Sequence, residues 1–394
     1  MTRPVRVLHV LSGLGMGGVE TWLMELLRHW SHTRSVQADF LLTGDSPDIF
    51  DQEAKNLGAS LYYLPYKRSR LRSFISAYRR LLVEGCYDAI HDHSDYASGW
   101  RFAFGTGVNP PVRIAHVHNP WLHIHANYSI SFSRQLAARC GKSLVQLLAT
   151  HVCGTSSEIL STYGFKSGRR SSPQVGVLHC GFDVSRFNSP RQEERSRILS
   201  EFGWSSATRL VLITGRLDRA LALEHPQNHK NTWLALQIVR TALGRDQEIR
   251  CVFAGDGPSR DDLIQVVQEW GLSDQIKLPG IRRDVPSLMR AADVLLFPSA
   301  QEGLGMVAVE AQAAGLPVLA STAVPLEAMV IPELYKSMPL QSSLMSWVDN
   351  LLHSIQIRRP SLDECRTKLE ASPFSIQSSA KKLEAIYGRN DRPF

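Results

Sequence analysis

The stretch Phe297–Glu310, FPSAQEGLGMVAVE, begins with the last residue of an apolar run that starts at Val294. This run predicts a buried strand of a parallel sheet. Gly303 and Gly305 allow a tight turn into a helix, which we expect to begin near Leu304. The first turn of a helix leaves backbone N–H groups unpaired. Beyond the carboxyl end of a strand, such groups favour the binding of a phosphate.

Two glutamates flank this turn. Glu302 precedes the expected helix, and Glu310 lies inside it, about two turns further on. Carboxylates accept hydrogen bonds from hydroxyl groups, so the two could hold different polyol parts of one phosphate-bearing ligand. A nucleotide sugar has this chemistry. Taken without their neighbours, two such glutamates are more typical of a solvated helix surface.

Short apolar strands alternate with helical segments along the chain, which predicts doubly wound parallel sheets. The chain has 394 residues, more than a single hydrophobic core usually holds, so we expect two domains. Ser189–Ser206 is rich in serine and charge and marks the predicted junction.

The composition is that of an ordinary globular protein, with 43% hydrophobic and 21% charged residues. A net charge of +7 suggests an anionic partner, namely a nucleotide, a nucleic acid or a membrane surface. No stretch approaches the roughly 20 apolar residues that span a bilayer, and we interpret the apolar N-terminus as a first strand rather than a signal peptide. Six scattered cysteines without a CxxC pair favour free thiols in the cytoplasm.

The longer segment Pro298–Ser321, PSAQEGLGMVAVEAQAAGLPVLAS, resembles the donor-binding signature of family 4 glycosyltransferases, in which seven residues separate two glutamates. The resemblance implies the GT-B architecture, with two facing Rossmann-like domains and an active site in the cleft between them. We place an acceptor-side domain at 1–188 and a nucleotide-sugar domain at 189–370. Residues 371–394 are expected to form a helix that crosses back to the first domain.

A glycine-rich loop follows the first predicted strand, Val5–Leu11. Residues 13–18 contain G-x-G-x-x-G, the dinucleotide fingerprint, and Asp45 could serve as the ribose acid of an NAD-dependent oxidoreductase. The end of the loop, Gly17 and Gly18 followed by Val-Glu, instead resembles the GGxE start of the glycosyltransferase family. There the loop lines the cleft and approaches the donor phosphate or the acceptor.

Three His-x-His pairs follow, at 91/93, 116/118 and 123/125. Residues two apart on a strand face the same side, so the first two pairs could chelate a metal, as in a hydrolase built on a β/α barrel. Packed, hydrogen-bonded histidines are the alternative. In the resemblance, His118 occupies the position of a histidine that faces the donor sugar, and its neighbour His116 remains a second candidate.

The resemblance also supplies two cations for the diphosphate. Arg216 follows the strand Leu210–Thr214 directly. The family's lysine comes within a few residues of this arginine, whereas here the best candidate is Lys230, so either 218–227 is an inserted loop or the register is different. GDGP, beginning at Gly255, and a segment that reads the nucleobase through its backbone complete the match. The implied donor-binding residues are Gly17, Gly18, Gly215, Arg216, Lys230, Gly255, Ile281, Arg282, Glu302, Gly303, Leu304, Gly305, Met306 and Glu310.

The resemblance implies a retaining glycosyltransferase that moves a sugar from a nucleoside diphosphate, with UDP expected, to a saccharide or a polyprenyl-diphosphate-linked saccharide in the synthesis of exopolysaccharide or capsule. The implied catalytic residues are His118, Arg216, Lys230 and Glu302, and no nucleophile stands out. We expect no cofactor, no metal and no nucleic-acid partner. An epimerase or a phosphorylase of the same architecture, or a non-catalytic sugar-nucleotide-binding module, are the alternatives.

The segment 67–83 combines an apolar stripe at helical spacing with several basic residues. A basic amphipathic helix can lie on an anionic membrane, here the inner face of the plasma membrane. Alternatively, the stripe packs on the sheet and the basic side is in water. The arginines expected to face the membrane are Arg70, Arg72, Arg79 and Arg80.

Overall fold

The computed structural model describes residues 3–121, 132–165, 173–218 and 228–388. The chain divides into two compact units, one of Met1–Asp183 with Pro373–Phe394 and the other of Val184–Ser372. Both junctions lie within a few residues of the boundaries expected from the sequence. The first junction comes earlier because Val184–Phe187 forms a 3-10 turn that packs against helices of the second unit.

The first unit is built on one seven-stranded sheet in the order β3-β2-β1-β4-β5-β6-β7, with every pair parallel. The order reverses between β1 and β4, as in doubly wound folds. Its strands are β1 (Val5–Leu11), β2 (Val36–Leu42), β3 (Leu61–Tyr63), β4 (Ala89–Asp92), β5 (Val112–Val117), β6 (His151–Gly154) and β7 (Gln174–Val177). Its first six described helices are α1 (Gly18–Thr33), α2 (Asp51–Asn56), α3 (Leu71–Gly85), α4 (Ala97–Phe104), α5 (Phe132–Leu148) and α6 (Ser157–Tyr163).

The second unit repeats this plan with six parallel strands in the order β10-β9-β8-β11-β12-β13. The order reverses between β8 and β11. The strands are β8 (Arg209–Thr214), β9 (Ile249–Ala254), β10 (Ile276–Gly280), β11 (Val294–Phe297), β12 (Val318–Ser321) and β13 (Tyr335–Met338). The described helices are α7 (Arg191–Glu201), α8 (Thr232–Leu243), α9 (Arg260–Glu269), α10 (Val285–Ala291), α11 (Met306–Ala313), α12 (Leu344–Ile355) and α13 (Leu362–Glu370).

The last described helix, α14 (Ile376–Tyr387), belongs to the first unit and packs on α1. Trp22 Nε1 donates to Ser379 Oγ at 2.9 Å, and Trp30 Nε1 donates to Glu384 Oε1 at 3.0 Å. Both indole rings are buried, so each indole N–H needs such a partner. The predicted return of the chain to its first domain is confirmed.

Helix α3 carries the predicted basic face. Its apolar stripe packs into the core of the first unit through Phe74, Tyr78, Leu81 and Leu82, so the stripe does not enter a lipid layer. Arg79 was expected to face a membrane, but its Nη1 donates to the carbonyl oxygens of Phe104 and Thr106, at 2.9 and 2.8 Å. These bonds hold the C-terminal end of α4, and Arg79 is therefore a structural residue.

The remaining arginines of the predicted basic face, Arg70, Arg72 and Arg80, are exposed. Among the described helices, none is both long and apolar enough to cross a membrane.

Candidate functional site

The point where the strand order of the second unit reverses is formed by the ends of β8 and β11. Ligands of doubly wound sheets bind beyond the carboxyl ends of the strands at such a point. Gly215 and Arg216 directly follow β8, and the loop with Glu302 follows β11. Gly215, Arg216 and the loop with Glu302 therefore lie at the position that the topology favours.

Lys230 lies beside Glu302, although a long loop separates it from Arg216 in the sequence. The carbonyl oxygen of His229 accepts hydrogen bonds from the N–H groups of Ala300 and Gln301, at 2.7 and 3.2 Å, which fixes this segment against the end of β11. Lys230 Nζ then donates to Glu302 Oε1 at 2.6 Å. The fold thus brings Lys230 to Glu302 despite its distance from Arg216 in the sequence. Residues 219–227 lie outside the described residues.

The Lys230–Glu302 pair is largely shielded from solvent, with side chains 25% and 9% exposed. Lys230 Nζ also lies 5.3 Å from the centre of the Phe297 ring, within range of a cation–π interaction. Its stem passes Gly215, where an added Cβ would lie 3.5 Å from Lys230 Cε. The pair therefore places one cation and one carboxylate next to the loop that follows β8.

Arg216 is 71% exposed in its side chain, and its Nε lies 3.3 Å from Asp218 Oδ1. Burial raises the pKa of Asp218, whereas the charge of Arg216 lowers it. An exposed guanidinium held by one weak ion pair can turn toward a phosphate with little loss of other contacts.

Two glycines allow the ends of β8 and β9 to approach each other. A Cβ on Gly255 would lie 1.9 Å from the carbonyl oxygen of Gly215, which excludes any side chain at that position. The N–H group of Gly215 donates to the carbonyl oxygen of Ala254 at 3.1 Å, which continues the strand pairing. The GDGP motif is therefore needed at least for this close packing.

Helix α11 begins at Met306, two residues later than expected, because Gly305 adopts a left-handed conformation with φ of 85°. An added Cβ there would lie 2.8 Å from Val324 Cγ1, so both the backbone angle and the available space require glycine. The free N–H groups of α11 point beyond the end of β11. Glu310 consequently lies about one turn into the helix rather than two.

Arg282 was expected to bind the donor, but its side chain is occupied elsewhere. It forms ion pairs with Glu201 and Asp284, which raise the pKa of its guanidinium, and it is 15% exposed. Ile281 beside it is 52% exposed. Any contact of this segment with a nucleobase therefore falls to the backbone and to Ile281.

In the first unit, five histidines from three neighbouring strands form a cluster where the strand order reverses. His9 Nδ1 lies 3.0 Å from His93 Nε2, and His93 Nδ1 lies 3.1 Å from His118 Nε2. A second branch joins His91 Nε2 to His116 Nδ1 at 3.2 Å, and His91 Nδ1 to Tyr387 Oη at 2.7 Å. We call this group the histidine cluster: His9, His91, His93, His116 and His118.

Burial keeps the histidine cluster neutral. It lowers the pKa of His9 and of His118 to about 3 and those of the other three well below the ordinary value. A neutral imidazole has one donor and one acceptor nitrogen, so His91 and His93, each with a partner at both nitrogens, can donate to one neighbour and accept from another. Among the described residues, His9, His116 and His118 each have one buried ring nitrogen that finds no partner. Such a network is the packed, hydrogen-bonded alternative expected from the sequence.

The histidine cluster also has donor nitrogens close enough together to hold a metal, in two overlapping groups: His9/His91/His93 and His93/His116/His118. Within the described residues, neither group includes a carboxylate or a thiol. A divalent ion would bring two uncompensated charges into a buried site, which is costly. The hydrolase alternative required a closed β/α barrel. It is wrong because both described sheets are open, with free edge strands. His123 and His125 lie outside the described residues.

The two candidate histidines of β5 differ in exposure. His116 is completely buried within the strand, whereas His118 follows the end of the strand and is partly exposed. The N–H group of His118 donates to Asp95 Oδ1 at 2.8 Å. His118 is therefore the more accessible of the two, although its unbonded ring nitrogen, Nδ1, is itself buried. His9 and Tyr387 were not anticipated, since each is distant in sequence from the His-x-His pairs. Asp95 was also not anticipated, although it lies only two residues after His93.

The glycine loop ends where α1 begins, with Gly17 as its N-terminal cap and Gly18 as its first residue. An added Cβ on Gly17 would lie 2.2 Å from Glu20 Oε2, so the carboxylate of Glu20 folds back over the loop. Burial raises the pKa of Glu20. Asp45, the ribose acid of the NAD alternative, instead forms an ion pair with Lys67 at 3.0 Å.

Comparison with known proteins identifies related sequences and folds. The model of the glycosyl transferase 4-like domain matches residues 17–181, and that of glycosyl transferases group 1 matches residues 211–335. The chain is 27% identical to the glycosyltransferase EpsF of Bacillus subtilis over 97% of this chain and 96% of the relative.

Solved structures share the fold. HepE of Anabaena in complex with UDP-glucose is 18% identical with a TM-score of 0.73, over 98% of this chain and 99% of that chain. WaaG, a glycosyltransferase involved in lipopolysaccharide biosynthesis, is 16% identical with a TM-score of 0.70, over 97% and 99%. The GT-B fold class is thereby confirmed. Since the two family models fall on the two units and together span most of the sequence, the chain is a glycosyltransferase of the group 1 family with a glycosyl transferase 4-like first domain.

Proposed function

We propose that this glycosyltransferase moves a sugar from a UDP-sugar to a hydroxyl group of a saccharide or of a polyprenyl-diphosphate-linked saccharide, with retention of anomeric configuration. The acceptor would serve the synthesis of a surface polysaccharide. The observation that carries the proposal is the Lys230–Glu302 pair beside Arg216 and the start of α11. HepE, solved with UDP-glucose, and WaaG, involved in lipopolysaccharide biosynthesis, support the choice of donor and of pathway.

The reaction requires a nucleoside diphosphate to leave from a centre with oxocarbenium character. Lys230, Arg216 and the N–H groups of α11 would stabilise the negative charge that grows on the leaving diphosphate. Because the bonds of His229 fix the segment of Lys230 against the loop after β11, Lys230 and the start of α11 would need little reorganisation during the reaction.

Lys230 and Glu302 are partners in the absence of a donor. On donor binding, the diphosphate would replace Glu302 as the partner of Lys230, and the released carboxylate would accept hydrogen bonds from hydroxyl groups of the transferred sugar. Glu310, further along α11, would hold the ribose. This exchange of partners keeps each charge compensated in the free and in the occupied site.

The family resemblance assigns His118 a hydrogen bond to the donor sugar. Its lowered pKa makes it neutral at physiological pH, so it would orient the sugar and not act as an acid. The family resemblance implies attack by the acceptor hydroxyl assisted by the leaving phosphate, without a covalent intermediate on the protein. Exposed Arg70, Arg72 and Arg80 would hold the protein at an anionic membrane that carries the acceptor.

A thermal-shift screen with UDP-, GDP- and ADP-sugars tests the donor assignment, because a ligand that binds the native state raises the melting temperature by mass action. We expect a UDP-sugar to give the largest shift, and Lys230→Met to abolish it. Lys368→Met is the matched control, since Lys368 pairs with Glu333 on the exposed surface of the same unit. A shift that is equal in both variants would contradict the assigned site.

A further inference from the structure

A group of arginines lies at the amino ends of the strands of the second sheet, whereas the candidate donor site lies at their carboxyl ends. Its centre is Asp293, which directly precedes β11, whereas Glu302 follows the other end of this strand. The four residues of β11 separate the two ends of this strand by roughly 13 Å. We call this group the arginine cluster: Arg191 and Arg195 of α7, Arg290 of α10, and Arg359, which precedes α13.

Asp293 is shared among several donors. Its Oδ1 accepts from Arg191 Nη2 at 2.7 Å and lies 3.8 Å from Arg359 Nη2. Its Oδ2 accepts from Arg195 Nη1 at 2.9 Å and from the N–H group of Leu210 at 2.7 Å. Since Arg191 and Arg359 approach the same oxygen, their guanidinium groups lie side by side.

The other bonds of the arginine cluster go to neutral carbonyl groups. Arg290 donates to the carbonyl oxygens of Ser189 and Ala314, at 2.9 and 2.7 Å, and Arg359 donates to that of Ala292 at 2.6 Å. Glu194 is the carboxylate that acts on Arg290, but it is paired with Arg197. Arg191, Arg195 and Arg359 therefore share the single carboxylate of Asp293, and Arg290 adds a fourth positive charge that acts on Arg191.

This excess of charge is shielded from solvent. The side chains of Arg195 and Arg359 are 13% and 17% exposed, and that of Arg191 is 34% exposed. Burial and the neighbouring arginines lower the pKa of Arg359 to about 9, and burial also lowers the pKa of Arg191 and of Arg290. Like charges at this depth repel each other more strongly than they would in water.

Two nitrogen atoms of the arginine cluster have unused donor capacity. Within the described ranges, no hydrogen-bond partner approaches Arg191 Nε or Arg359 Nη1, although both atoms are buried. A buried N–H group of a charged side chain without a partner is costly, and such groups are normally satisfied. Guanidinium groups match the oxygens of a phosphate in geometry and charge.

We propose that the arginine cluster binds a small phosphate-class oxyanion, which accepts hydrogen bonds from Arg191 Nε and Arg359 Nη1 and offsets the excess positive charge. Since both nitrogens are buried, the ligand is a free anion, such as inorganic phosphate or the phosphate group of a small metabolite, and not a lipid headgroup. Its binding stabilises the second unit independently of the donor site.

The test is titration of the full chain with inorganic phosphate, followed by calorimetry and by the melting temperature. A background that combines Lys230→Met with Arg216→Gln minimises phosphate binding at the candidate donor site, and saturating UDP in a parallel titration shows any that remains. We expect saturable binding that sodium chloride of equal ionic strength does not reproduce. Arg359→Met should weaken it about tenfold or more, as for the loss of a charge-assisted hydrogen bond. Arg191→Gln should have a similar effect and serves as the second variant if Arg359→Met does not fold.

Arg366→Gln is the matched control, because Arg366 is exposed and pairs within its own helix. It should bind phosphate as the background protein does. Equal stabilisation by phosphate and chloride, or phosphate binding that survives both cluster variants, would overturn the proposal. Binding to vesicles containing phosphatidic acid that is lost in Arg359→Met, without binding of free phosphate, would overturn the assignment to a free anion.

Discussion

Lys230 and Glu302 show how a single ion pair can prepare a site for a charged ligand. Each side chain is mostly buried, so the charge of either one would be costly without a partner. The pair keeps both charges compensated until a diphosphate and a sugar replace the two partners. Glu310 lies on α11, apart from this pair, and would contact a different part of the donor.

Substitutions of the two glutamates should therefore have different effects on donor binding and on turnover. Glu310→Ala should weaken UDP binding, whereas Glu302→Gln should mainly slow turnover. Each change removes one charge-assisted hydrogen bond, so we expect a cost of about 1.5–3 kcal/mol in the binding free energy or in the activation free energy, respectively. Calorimetry with UDP and initial rates of transfer separate the two effects, and exposed Glu333→Gln is the control. Equal, negligible effects of both changes on affinity and on rate would exclude the assigned roles.

The histidine cluster should make the folded state sensitive to acid. The pKa of His9 and of His118 is about 3 in the folded state and about 6.5 when unfolded. The unfolded state thus binds more protons between these values, so stability is lost as pH falls below about 6.5, by up to about 1.4 kcal/mol per pH unit for each histidine. Asp95, whose pKa burial raises to about 6, acts in the opposite direction.

Urea unfolding between pH 7.5 and 5, followed by tryptophan fluorescence, measures this dependence. His9→Gln should reduce the slope of the unfolding free energy against pH, whereas the exposed His353→Gln should leave it unchanged. A slope that is the same in wild type and in His9→Gln would mean that His9 takes up protons equally in the folded and unfolded states, which would contradict the lowered pKa of His9.

At the scale of elements, helix α3 combines two roles that its sequence alone could not separate. Its apolar stripe and Arg79 serve the packing of the first unit. Arg70, Arg72 and Arg80 are exposed and remain available to an anionic surface.

Changing these three arginines to glutamine should release the protein from anionic vesicles, since each contributes about 1 kcal/mol of attraction that salt screens. The melting temperature should hardly change. Arg79→Gln provides the matched control, and we expect it to lower the melting temperature and to leave vesicle binding intact. Vesicle binding that survives the triple substitution, or that is equally strong on neutral vesicles, would contradict membrane binding by these arginines.

The start of α11 illustrates what the sequence can and cannot predict about an element. The apolar run and the two glycines located the strand, the turn and the helix. Helix α11 begins only at Met306, because Gly305 adopts a left-handed conformation. Gly305 lies close to the side chains of Val324 and Phe297, which leave no room for a Cβ. Contacts of this kind involve residues distant in sequence, and local patterns do not contain them.

At the scale of the whole molecule, alternation of strands and helices predicted doubly wound sheets, and the chain length predicted two domains. The returning helix was predicted only from the family resemblance. The position of Lys230 was uncertain from its spacing and became clear only from the bonds of His229 to the loop after β11. His9 and Tyr387 join the histidine cluster through the sheet order and the return of α14, which no local motif records. The arginine cluster likewise assembles from three separate segments.

The account predicts that catalysis needs no divalent metal, because protein cations and a helix terminus meet the charge of the diphosphate. Transfer activity should therefore persist in excess EDTA. The rate should be measured before and after dialysis against the chelator, with and without added zinc or manganese. Complete loss that either metal restores would instead assign a metal to the reaction, with the histidine cluster as the first place to look.

The central claim is that the site around Lys230 and Glu302 transfers a sugar to an acceptor hydroxyl. The most direct measurement is NMR of the product formed from a UDP-sugar and a lipid-linked saccharide acceptor, with UDP release followed in parallel. The account predicts acceptor-dependent UDP release, a product with the anomeric configuration of the donor, and loss of both in Lys230→Met but not in Lys368→Met. Conversion of the donor without an acceptor, or full activity of Lys230→Met, would contradict it.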